Sequence, residues 1–202
     1  MLSHALLGQV EPYQQVEQYS CGAAALKAVL GHWDDHHDER MLIDLIGVDP
    51  DHGSTVDQVA RAARNLGYDA RPHRFSGVSE LRAMTAQDTP VIIAVQSFNR
   101  PNQGHFVVAV DVTDDTVEIM DPNTPGNWRV LSHAELDRRW RFRDRYAVLV
   151  RPRARAQRQV RRAAAGLGAA AASTWAPLAA VLGGAVVATA VVLIVQTRKQ
   201  GP

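Results

Sequence analysis

Cys21 is the only cysteine in 202 residues, and its surroundings are those of a thiol that could do chemistry. It opens a helix-forming run over residues 23–33 in which Leu26, Val29 and Leu30 share one face. A thiol in the first turn of a helix lies at the positive end of the backbone dipole. That position favours the thiolate, the form that attacks a carbonyl carbon. Gln15, six residues upstream, carries a side-chain amide able to donate to an oxyanion. Such a thiol needs a base, and the base needs an acceptor to orient it. His105 begins an apolar strand, and Asp121 ends the strand that follows. Asp114-Asp115 between them forms a tight turn, so the two strands pair as a hairpin that sets the start of one beside the end of the other. An aspartate accepting from one imidazole nitrogen would fix the tautomer and leave the other nitrogen as the base.

A plainer reading fits the same residues. Free cysteines are often small buried hydrophobes, and a histidine can simply close a strand edge. Aspartate before Pro122 is a common turn former. Gln15 stands near Gln14 and Gln18, so the type of residue alone does not single it out. Taken by themselves, these residues leave both readings open. His32 and His36, one helical turn apart in the stretch 31–39, resemble half a metal site. No further ligand set accompanies them, and Gly31 suits a helix stop, so the stretch reads as a solvated polar loop. We expect no metal and no cofactor.

The elements that must position these groups follow in a definite order. After the Cys21 helix, residues 39–46 read as a short helix with Met41, Leu42, Leu45 and Ile46 inward. Ser54 is a suitable N-cap for a helix over 55–66, which Gly67 ends. Residues 68–75 suggest a strand, confined by Pro72 to an edge or a bend. Residues 78–87 look helical. Thereafter the pattern changes to apolar runs at 90–97, 105–112 and 116–121, a short helix at 132–140 capped by Ser132 with Glu135 three residues on, and a last strand at 146–150. Helices first and an antiparallel sheet afterwards predict an α+β domain with two lobes over residues 1–150.

Charge divides the chain sharply. Residues 151–202 hold eight Lys or Arg and no acidic residue, so the first 150 keep 14 basic against 21 acidic groups, a net of −7. An acidic globular part lacks the basic face of a nucleic-acid binder. A single cysteine excludes an intramolecular disulfide framework. Residues 1–10 have no basic n-region or long apolar run, and so do not read as a signal peptide. Residues 175–195 are almost wholly apolar, and about twenty such residues span a bilayer. They predict a C-terminal transmembrane helix, with an Arg-rich and then Ala/Gly-rich linker over 151–174 and a short basic tail over 196–202. Six arginines precede the span and only Arg198 and Lys199 follow it. The positive-inside rule then makes this a single-pass protein of the cell membrane, with its N-terminal domain cytoplasmic.

Gln15, then Cys21-Gly22-Ala23-Ala24-Ala25-Leu26, then Gly104-His105-Phe106-Val107-Val108, then Asp121-Pro122 resembles the bacteriocin-processing, double-glycine leader cysteine peptidases of the papain-like clan. The resemblance runs over residues 10–150. It implies a papain-like fold, with Cys21 as nucleophile, His105 as general base and then acid, and Asp121 as its orienting partner. Gln15 and the Cys21 backbone amide would form the oxyanion hole. It further implies a peptide or precursor-protein substrate, and placement on the cytoplasmic membrane face would suit leader removal beside a separate exporter. This chain departs from well-known members in carrying one expected span and no Gly-x-x-x-x-Gly-Lys loop, where they continue into a transporter and an ATPase. Two other functions remain compatible with the same residues. One is a thioester-forming transferase or deamidase; the other is a non-catalytic module that docks a peptide for an exporter.

Overall fold

The computed structural model describes residues 10–124 and 126–153. Five helices and six strands follow one another as α1 (Cys21–His32), α2 (Glu39–Ile46), α3 (Val56–Asn65), β1 (Asp69–Arg74), α4 (Val78–Thr85), β2 (Val91–Gln96), β3 (Gly104–Val112), β4 (Thr116–Met120), β5 (Trp128–Ser132), α5 (His133–Arg141) and β6 (Tyr146–Arg151). The strands form one sheet in the order β1-β6-β2-β3-β4-β5, and every neighbouring pair is antiparallel.

Alternation along the strands gives the sheet two apolar faces. Ile92, Ala94, Phe106, Val108, Val110, Val148 and Val150 join the side chains of α1, α2 and α3 in one core. Val91, Ile93, Val95, Val107, Ala109, Ala147 and Leu149 join Leu81 of α4 and Leu136 and Trp140 of α5 in the other. Because both faces are covered, β2 reads as the continuous run Val-Ile-Ile-Ala-Val rather than as an alternation. Pro72 does lie on an edge strand, since β1 pairs only with β6. There its missing N–H costs the sheet nothing.

α1 is the most enclosed element. Every residue from Gly22 to His32 except Lys27 is buried, and Lys27 reaches over the Tyr13 ring at 4.2 Å. A helix packed on all sides needs small residues for close approach, which the Ala23-Ala24-Ala25 run supplies. Gly22 is required at its start, because a side chain there would run into the Ser54 hydroxyl and the Phe106 ring. The start of α1 is thereby seated between the loop after α2 and the start of β3.

Several local expectations are corrected. The N-cap of α3 is Thr55 rather than Ser54: Thr55 Oγ1 accepts from the Gln58 amide, and Gln58 Oε1 accepts from the Thr55 amide in return. Ser132 caps α5 by accepting from the Glu135 amide, but the Glu135 carboxylate turns to Arg139 at 2.8 Å instead of completing a capping box. An ion pair one turn along competes successfully with the backbone N–H. β5 was not expected from the sequence; its pattern is nowhere fully buried, and Val130 is 63% exposed. Among the described residues no helix is long and apolar enough to cross a membrane. Arg151, expected to open the linker, instead ends β6 and pairs with Asp69. The linker from residue 154 on, the span expected over 175–195 and the basic tail lie outside the described residues.

Candidate active site

Cys21 is the first residue of α1, and no acidic side chain occupies that first turn to oppose a thiolate. His105 is the second residue of β3 and Asp121 directly follows β4. In the β3–β4 hairpin Met120 pairs with Val108, so Asp121 reaches diagonally back along β3 to His105. The His105 Nε2–H donates to Asp121 Oδ1 at 2.7 Å, with the two side chains 7% and 1% exposed. With Nε2 engaged, Nδ1 is the nitrogen left for the thiol, and the Cys21 side chain is hydrogen-bonded to this ring. The hairpin and the start of α1 thus bring Cys21, His105 and Asp121 together.

The electrostatics follow from that contact. Burial pushes the Cys21 thiol up, but the His105 hydrogen bond and charge, together with the backbone amides of Phe106 and Gly22, outweigh it and hold the thiol below its ordinary 9.0. Burial alone would lower His105; hydrogen bonds to Asp121 and Cys21 and their negative charges raise it to about 9. Each partner therefore favours the charged form of the other, thiolate beside imidazolium, more than either group would alone in water.

Asp121 is held more heavily than the sequence suggested. Its Oδ1 also accepts from the Asn123 amide at 2.9 Å, while Oδ2 accepts from Thr124 Oγ1 and from Arg129 Nε, each at 2.6 Å. Burial of an unpaired carboxylate costs several kcal/mol. Charge-assisted bonds of about 1.5–3 kcal/mol each reverse the balance, since four donors surround this one. Burial raises the Asp121 carboxyl, yet His105, Thr124 and Arg129 hold it well below the usual carboxylate range. Arg129 and Thr124 were missed because they belong to the 121–132 segment, which carries no clear periodicity. The only available signal was a basic residue eight positions after Asp121.

Gln15 reaches the same end of the sheet through its backbone, whose N–H donates to the Pro122 carbonyl at 3.0 Å. Its side-chain amide donates one hydrogen to the Glu17 carbonyl at 2.7 Å, and Oε1 is buried without a partner among the described residues. An amide nitrogen carries two hydrogens, so one remains for an oxyanion. The turn that holds Gln15 is braced from below by buried Glu39, whose Oε1 accepts from the Val16 amide at 3.0 Å and Ser20 Oγ at 2.7 Å. Sequence reasoning took Glu39 only for the start of a helix.

The other sequence candidate, His32 with His36, is not drawn into this constellation. His32 Nε2 donates to the Asp88 carbonyl at 3.2 Å and its ring packs edge-on to Trp33. Among the described residues no group of three or more His, Cys, Asp or Glu is arranged to hold a metal ion.

Known proteins share this arrangement of elements. The peptidase domain of Streptococcus ComA, a bifunctional ABC transporter involved in quorum sensing, superposes with a TM-score of 0.62 at 21% identity, over 71% of this chain and 99% of that one. A double-glycine-motif protease from an AMS/PCAT transporter, solved with its leader peptide, gives a TM-score of 0.55 at 26% identity over 71% and 91%. In sequence, the pediocin PA-1 transport/processing ATP-binding protein PedD of Pediococcus acidilactici is 26% identical over 138 residues. The corresponding mesentericin-Y105 protein MesD of Leuconostoc mesenteroides is 25% identical over 133 residues. The alignments cover 68% and 65% of this chain but only 18% of either transporter. Residues 9–155 match the Peptidase C39 family along nearly the whole described domain, and the chain belongs to that family.

Proposed function

We propose that this chain is a cysteine peptidase that removes leader peptides from exported precursors, with Cys21 as nucleophile, His105 as acid and base, and Asp121 as the residue that orients His105. The observation that carries this reading is the continuous contact from the first residue of α1 through His105 to the buried Asp121. In the reaction, the Cys21 thiolate forms a C–S bond to the scissile carbonyl carbon, and the carbonyl π electrons move to oxygen. That oxyanion meets the Cys21 backbone N–H and the free hydrogen of the Gln15 amide. As it collapses, the C–N bond breaks and the leaving amine takes the proton from the His105 imidazolium. Water then adds to the thioester while His105 takes its proton; the C–S bond breaks and the thiolate–imidazolium pair is restored.

Two relatives are named as transport/processing proteins, and one structural neighbour was solved with a leader peptide. These names support a precursor with a double-glycine leader as substrate and an exporter as partner. Residues 175–195 would anchor the peptidase in the membrane, and the excess of upstream arginines favours a cytoplasmic domain. A synthetic precursor with a Gly-Gly leader, incubated with the full chain and read by mass spectrometry, tests the chemistry. Cleavage by the wild type and none by Cys21→Ala is expected; an intact peptide that nevertheless binds would favour a docking module. A reporter active only outside the cytoplasm, fused after Pro202, tests the topology: activity is expected, and an expressed but inactive fusion would reverse the orientation.

A further inference from the structure

The Asp121 carboxylate meets a cation on the side opposite His105. Arg129 Nε donates to Oδ2 at 2.6 Å, and its guanidinium lies over the Phe98 ring, 4.3 Å from the centroid. Arg139 lies at the same distance from that ring, donates to the Ser97 carbonyl at 3.3 Å and is paired with Glu135. Phe98 is therefore fixed from α5 and in turn restricts where the Arg129 guanidinium can sit. The carboxylate is clamped between Nε2 of His105 on one oxygen and Arg129 with Thr124 on the other.

We propose that Arg129 is a positioning residue of the peptidase site: it aims the Asp121 carboxylate at His105 and balances its charge, so that the imidazolium can release its proton to the leaving amine. This rests on the reading of Cys21 and His105 given above. A buried aspartate with no counter-charge would hold the imidazolium proton too firmly for a general acid, which works best near the operating pH. Arg129 shares the carboxylate and limits that hold. It also adds a positive charge to the surroundings of the thiolate. The charged groups in contact with His105 are Cys21 from α1 and Asp121 after β4, and Arg129 from β5 meets Asp121 on its other oxygen. The Arg143 guanidinium, after α5, lies against neighbouring Gly104, and Arg139 lies beyond Phe98.

Because Cys21 is the only cysteine, its alkylation by iodoacetamide reports this thiol without knowledge of the substrate. The rate is to be followed against pH in the full chain for wild type, Arg129→Gln, Arg129→Lys and Phe98→Leu. A wild-type midpoint near that of free cysteine would sink the peptidase reading itself, and with it the role given to Arg129. If the wild type is depressed as expected, Arg129→Gln should raise the midpoint, slowing alkylation about threefold to tenfold on the acid flank. Arg129→Lys, which keeps the charge, should restore most of it. Phe98→Leu should shift it in the same direction by less. An unmoved midpoint in folded Arg129→Gln, even with a lower melting temperature, would reduce Arg129 to a structural tie and overturn the proposal. Should that variant not fold, Phe98→Leu decides: an upward shift supports the proposal and none refutes it.

Discussion

The two ends of α1 carry similar residues to different ends. At its start stand Cys21 and, through the sheet, His105 and Asp121; at its finish stand His32, Trp33, Asp35, His36 and His37. At the first end, groups from α1, β3 and the β4–β5 connection share protons and shift one another's titration. At the second, contacts are pairwise and partial, and His32 Nδ1 and Trp33 Nε1 are buried without a partner among the described residues. His32 donates to the Asp88 carbonyl, Asp35 accepts from the Tyr68 hydroxyl at 2.9 Å, and His37 lies 2.9 Å from Asp35. Clustering in sequence therefore says less about chemistry than convergence from separate elements does.

The largest test of that contrast is substitution at both ends. Cys21→Ala or His105→Ala should reduce hydrolysis of a Gly-Gly precursor by about four orders of magnitude or more. His32→Gln should leave it within about twofold, since a side chain outside the site contributes nothing to the barrier. Initial rates by mass spectrometry measure both.

Next in size is Asp121→Asn. Its amide can still meet His105 but can stabilise neither the imidazolium nor the required tautomer, so hydrolysis should fall by about a hundredfold to ten-thousandfold. A stability signature should accompany it. The Asp121 carboxyl is depressed in the folded chain, so its contribution is present above about pH 4 and is lost as pH falls toward the folded value. The difference in melting temperature between wild type and Asp121→Asn should therefore shrink in acid.

The smallest effect belongs to His32. Burial pushes its imidazole below 6.5 against the pull of the Asp88 carbonyl, and Nδ1 is buried without a partner among the described residues. Stability that depends on a neutral His32 is present above about pH 6.5 and lost as pH falls below it. A melting series from pH 7.5 to 5 should show a decline that His32→Gln flattens. An unchanged decline would mean that His32 is not the buried neutral group described.

Much of the site was legible because its parts carry local signals. A lone cysteine before an alanine-rich helix, a histidine at the start of an apolar run and an aspartate at the end of the next are visible without coordinates. The tight turn at Asp114-Asp115 allows the last two to be paired. What stayed hidden was held by register and long-range contact. β5 is an edge strand with weak alternation, so the pairing of Met120 with Trp128 and of Ile119 with Arg129 could not be deduced, and Arg129 went unseen. Glu39 looked like an ordinary first-turn acid, because nothing in its neighbourhood reveals that Ser20 and the Val16 amide close over it. The Gln15 amide was expected to face the oxyanion; its bond to the Glu17 carbonyl belongs to a turn whose shape the sequence does not disclose.

The central claim is that His105 converts the Cys21 thiol into a thiolate at neutral pH, and one experiment addresses it most directly. The full chain is treated with iodoacetamide at pH 7, and the alkylation rate of Cys21 is compared with that of free cysteine and of His105→Ala. The thiol is held below 9.0 by His105, whose own proton is retained to about pH 9. The wild type should therefore react about tenfold faster than free cysteine, and His105→Ala should lose that advantage. A wild-type rate no greater than that of free cysteine, or one unaffected by His105→Ala, would contradict the account.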